Sequence, residues 1–76
     1  MNFTMTDNGI LEQVGGPYVG EAMKTLPPAA TAEDREYPVE IDAGHVGRVC
    51  IFFRKQRAKS GKFSHWFWLA KRAEKA

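Results

Sequence analysis

A single cysteine, Cys50, leaves no partner for an intrachain disulfide, which points to a reducing compartment. The histidines, His45 and His65, form no metal-ligand spacing with it, so neither a zinc site nor any other cofactor is expected. No apolar run approaches the ~18–20 residues needed to cross a bilayer. Met1 to Asp7 are polar and lead into no apolar segment, so they do not read as an export signal. These absences predict a cytoplasmic protein without membrane contact. Catalytic signals are missing too. "SGK" at Ser60 to Lys62 resembles the end of a phosphate loop. Gln56, however, stands where G-x-x-x-x-G-K-[ST] needs its first glycine, and Phe63 where it needs a hydroxyl. No nucleophile is paired with a base, and an enzyme is not expected.

What is present is small and electrically lopsided. The 76 residues are read as a single small domain, 1–76. A core of that size supplies roughly 3–5 kcal/mol net, and homodimerisation would add buried surface. The formal net charge of +2 conceals a split. Residues 1–43 carry eight acids and two bases, whereas residues 44–76 carry nine bases and one acid. That asymmetry implies a polyanion or an acidic protein as partner, or an acidic half that neutralises the basic half inside the fold.

Periodicity predicts an α+β fold. Residues 1–16 show no clean period: their first several residues are expected to be flexible, and "ILEQV" reads as a short strand or one helical turn. Val19, Ala22, Met23 and Leu26 fall on one helical face, giving one short N-terminal helix over about 18–26. Pro27-Pro28 ends it, and 27–36 is a polar connector. The period then changes to two. Tyr37, Val39 and Ile41 alternate with Pro38, Glu40 and Asp42, a strand over 37–42 with one wet face. A second strand follows over about 46–57 and a third over about 62–70, completing a three-stranded antiparallel meander. Val49, Ile51 and Phe53 form an apolar stripe for the helix to cover. A rival helical face through Phe63, Trp66, Phe67, Ala70 and Ala73 competes with strand over 63–75.

Two constellations carry the functional expectation. "RKQRAKSGK" places five bases, Arg54, Lys55, Arg57, Lys59 and Lys62, at the tip of the second hairpin. Nucleic-acid phosphates would relieve their mutual repulsion and release counterions. A three-residue "KSG" loop pairing Ala58 with Lys62 would set Phe52 opposite Trp68 and Arg54 opposite Trp66. Phe52, Trp66 and Trp68 would then share an open aromatic face, suited to base stacking or to a protein interface. The expected function is therefore non-catalytic binding of DNA or RNA through a basic hairpin tip. The alternative is a small adaptor or inhibitor that meets an acidic protein surface, or itself, through the aromatic face.

Overall fold

The apolar stripe of the second strand organises the chain. In the computed structural model the described residues are 7–61 and 63–76. Their order is helix α1 (Asp7–Val14), helix α2 (Gly16–Met23), strand β1 (Tyr37–Asp42), a 3-10 turn (Gly44–Val46), strand β2 (Arg48–Ser60) and strand β3 (Phe63–Lys75). The strands form one antiparallel sheet in the order β1-β2-β3, the predicted meander. Val49, Ile51 and Phe53 are fully buried on one face. The register sets Ile41, Val39 and Tyr37 beside them on β1, and Pro38, Glu40 and Asp42 are exposed. The alternation read from the sequence therefore holds over both strands. No helix among the described residues is long and apolar enough to cross a membrane.

The predicted helix is present but begins earlier, at Gly16, because Pro17 occupies its first turn, where a missing N–H costs nothing. Bonds from Lys24, Thr25 and Leu26 back to Glu21, Ala22 and Met23 tighten its end before Pro27. Ala22 is buried, and Val19, Met23 and Leu26 pack on the core that holds Val49, Ile51 and Phe53. The "ILEQV" segment is helical as part of α1, a second helix beyond the single one expected. Ile10 and Val14, one helical turn apart, are both buried in the same core, and this tertiary burial overrides a turn-rich local sequence. Residues 1–6, the expected flexible start, lie outside the described residues.

Gly15 makes the two-helix arrangement possible. Its N–H closes on the Leu11 carbonyl, and its own carbonyl accepts from Val19, so one residue ends α1 and begins α2. At φ 81° and ψ 169° it occupies backbone space open essentially to glycine alone. The sharp joint lets α1 lie against β3 while α2 lies against β1. Ala70 and Ala73 stand across from Phe53 and Ile51. These small residues leave the depth that Ile10 and Val14 fill. Gly44 matters for a different reason, since a Cβ there would come within 2.6 Å of the Tyr18 hydroxyl.

The second hairpin differs from its expected register. β2 extends to Ser60 and β3 starts at Phe63, so each β2 residue of the arm meets a β3 residue three positions later than in the predicted pairing. Arg54 pairs with Leu69 rather than Trp66, and Lys55 pairs with Trp68. A bulge between Phe53↔Ala70 and Phe52↔Arg72 leaves Lys71 as the extra residue. It keeps Ala70 and Ala73 on the core face although they are three apart. That spacing, which reads as helical in the sequence, is the signature of a bulged strand. β3 is strand throughout Phe63–Lys75, which excludes the rival helix.

Two measurements check this packing. Ile51→Ala should remove about 2–5 kcal/mol, comparable with the whole net stability of so small a domain. Ile51→Val is the readable version: its denaturation midpoint should fall by the equivalent of about 0.5–1.5 kcal/mol. An unchanged midpoint would remove the core assignment. Gly15→Ala should cost about 1–3 kcal/mol through backbone strain. Gly20→Ala, in α2 with open space around it, should gain about 0.5–1 kcal/mol. Equal melting shifts for the two glycine variants would contradict the joint described for Gly15.

Candidate nucleic-acid interface

Unequal strand lengths create an arm. β1 pairs with β2 only as far as Phe53, whereas β2 and β3 each run for 13 residues. At about 3.3 Å per residue such a hairpin spans about 43 Å, matching the longest dimension of the molecule, 41 Å. From Arg54 to Ser60, β2 pairs with β3 alone. The face carrying the helices is here called the inner face. Along the arm it continues beyond them as Lys55, Arg57 and Lys59 on β2 and Ser64, Trp66 and Trp68 on β3. The outer face carries Cys50, Phe52, Arg54, Gln56 and Ala58 with His65, Phe67 and Leu69.

The connector fastens the base of the arm. The Trp68 indole N–H donates to the Pro27 carbonyl at 2.8 Å, and the Lys55 ammonium donates to the Ala32 carbonyl at 2.6 Å. The Tyr37 hydroxyl accepts from the Glu33 N–H, and the Trp68 ring meets Tyr37 edge-on at 5.0 Å. Each bond joins a strand side chain to a main-chain group of 27–36, so the connector is seated on the sheet.

The predicted site residues divide between the faces. Phe52 is not beside Trp66 and Trp68: it lies on the outer face, half-buried, with the Arg72 guanidinium 3.7 Å above its ring. Trp68 is half-buried against Tyr37. The shared aromatic face therefore does not exist, because the actual register turns β3 over relative to the expected one. Of the three aromatic residues, Trp66 alone is classed as exposed, at 37 %. Two of the three side chains that called for a covering partner are covered within the chain. Lys62 lies outside the described residues.

Electrostatics follow the same division. Arg48 pairs with Glu40 at 2.6 Å, Arg54 with Asp34 at 3.3 Å, and Arg72 with both Glu36 and Glu74 at 3.3 and 3.0 Å. All three arginines lie on the outer face. No acid among the described residues stands within ion-pair distance of Lys55, Arg57 or Lys59 on the inner face. The Lys55 ammonium sits 4.4 Å from the centre of the Trp66 ring, and the Arg57 guanidinium sits 5.8 Å from it. Arg57 also donates to the Ser64 hydroxyl at 3.0 Å. Internal neutralisation and a basic row with no acid partner among the described residues are thus both present, on opposite sides of one sheet.

Several contributors were not legible in the sequence. Arg72, Ser64, Tyr37 and the carbonyls of Pro27 and Ala32 act through contacts that cross between elements. The clustering of acids over 33–42 was the available hint that some of the arginines would be neutralised. His45 lies in the 3-10 turn, Cys50 on the outer face of β2 and His65 across from Ala58 in the arm, so these three are not brought together. Comparison with protein-family models, with curated proteins and with solved structures finds no match.

Cys50 supplies a chemical check on the outer face. Partial burial pushes its thiol up from the ordinary value. Glu74 and Glu40 push the same way, against weaker opposition from Arg72 and a backbone hydrogen bond at Val39. The folded thiol therefore holds its proton more tightly than the unfolded one. Its contribution to stability is complete below the unfolded pKa and fades as pH rises through the folded value. Iodoacetamide should alkylate Cys50 more slowly at neutral pH than it alkylates a simple thiol, with the rate still climbing in mildly alkaline buffer. A rate that levels off near neutrality would contradict this environment.

Proposed function

We propose that the protein is a non-catalytic nucleic-acid-binding module and that the inner face of its arm is the contact surface. One observation carries the reading: Lys55, Arg57 and Lys59, with no acid among the described residues within ion-pair distance, share one face of the arm, while the outer-face arginines are paired. Charge that merely solubilises has no reason to gather on one side. A row of cations at alternate strand positions, about 6.6 Å apart, presents itself to a line of phosphates.

The three cations play different parts. Arg57 and Lys59 are exposed, so their charges are available to phosphate. Lys55 is half-buried and bonded to Ala32, so it adds field at the base of the row while holding the connector. Arg54 faces the other way and is held by Asp34. The arm therefore approaches a backbone from one side and does not straddle it. The adaptor alternative required Phe52, Trp66 and Trp68 to act as one surface, and it keeps only its basic half.

Salt dependence tests the reading. Each phosphate neutralised on duplex DNA adds about 0.9 to the magnitude of the log–log salt slope. Arg57→Ala with Lys59→Ala should weaken binding alike for all sequences and flatten that slope by about two units. The melting temperature should hardly move, because exposed cations contribute little to stability. Lys55→Ala should differ by also lowering the melting temperature. Absence of binding to any nucleic acid at low salt would end the proposal and leave an acidic protein as the partner the row fits.

A further inference from the structure

The geometry points to single-stranded nucleic acid as the ligand of the arm, with one base stacking on Trp66 within the row of Lys55, Arg57 and Lys59. This rests on the nucleic-acid reading above and narrows it to one form of the polymer.

The first reason is the one-sidedness of the charge. A two-stranded ribbon entering the major groove of a duplex lies between two phosphate backbones, and contact with both requires cations on both flanks. Beyond Arg54, which Asp34 holds, the outer face of the arm offers, among the described residues, Gln56, Ala58, His65, Phe67 and Leu69. One row of cations matches one backbone.

The second reason is the place of the indole. Arg57 pairs across the hairpin with Trp66, and Lys55 reaches the same ring diagonally, so the aromatic surface lies inside the basic row rather than beside it. Inside a duplex the base faces are covered by their neighbours and only their edges meet a protein. A half-open indole amid phosphate contacts has nothing to stack on there. On a single strand the bases are free to turn out, and the part of the Trp66 ring that Lys55 and Arg57 leave exposed gives one of them a platform.

The third reason is that the platform is already in place. Ser64 holds Arg57, Ala32 holds Lys55, and both cations hold the Trp66 ring. Little side-chain freedom is left to lose on binding. Trp68, the next aromatic on this face, is unsuited to the role because its N–H is bonded to Pro27 and its ring is set against Tyr37. Among the described residues, the inner face of the arm therefore offers one stacking position.

Fluorescence anisotropy of labelled strands separates this inference from the broader reading. The probes are a short oligothymidylate, an abasic strand of equal length and a blunt duplex. The wild type should bind oligothymidylate more tightly than the duplex. Trp66→Ala should weaken the oligothymidylate complex about 5- to 150-fold, the range of one lost stack. The same variant should leave the abasic strand nearly unchanged, which a merely structural role for Trp66 would not do. Trp66→Phe should restore most of the affinity. A duplex bound as tightly as the single strand would overturn the inference, as would equal losses on the thymidylate and abasic strands. If Arg57→Ala with Lys59→Ala still weakens binding in those cases, the phosphate-binding reading survives alone. Failure to bind any of the three probes would overturn both.

Discussion

The closure of the long hairpin at Ser60↔Phe63 decides which side chains keep company. Side-chain direction alternates along a strand, so a pairing shift of an odd number of residues carries every side chain of one strand to the other face. Here the closure puts Trp66 and Trp68 with Lys55 and Arg57 and sends Leu69 and Phe67 to the opposite side with Arg54. The bulge at Lys71 then restores the core half of β3, so that Ala73 faces the helices beside Ile51. One strand thus serves two purposes along its length. Its end near Lys75 packs beneath α1, and its beginning lines an open arm.

The acidic and basic halves of the chain meet across the sheet without cancelling. β1 and the connector carry the acids, and they lie where Arg48, Arg54 and Arg72 reach them. These pairs are solvent-exposed to varying degrees and each adds little to stability. Their larger effect is on the field. They neutralise the outer face and leave the inner face of the arm positive, so the small net charge describes neither surface. Electrostatic attraction of a polyanion would therefore be directional, favouring approach to one side of the arm.

The connector shows how few contacts are needed to fix such a surface. Lys55 and Trp68 face each other across the hairpin, and both bond to carbonyls of 27–36. A lysine and an indole N–H satisfy main-chain acceptors that no strand ladder reaches. In doing so they settle which members of the aromatic-basic cluster remain available. Trp68 and part of Lys55 are committed to the fold, whereas Trp66, Arg57 and Lys59 remain exposed.

The amino-acid sequence by itself determined the class and the part of the core on β1, β2 and α2. The period-two runs at Tyr37–Asp42 and Val49–Phe53 and the helical face around Ala22 each bury one side, whatever their partners are. It also predicted the basic cluster at a hairpin end, because five cations within nine residues between two apolar segments stay in water. It left the "ILEQV" part of α1 between a strand and one helical turn, because the Asn-Gly start reads as a turn and the helicity comes from burying Ile10 and Val14. Nor did it decide the faces of the arm. Loop length and bulge position set the register, and either can change by one residue at little local cost while reversing the orientation of a whole strand. Only tertiary packing resolves that choice here, by requiring Ala70 and Ala73 beneath α1 and the Trp68 N–H on the Pro27 carbonyl. The separation of Phe52 from Trp66 follows from those long-range contacts, which no periodicity within β2 or β3 encodes.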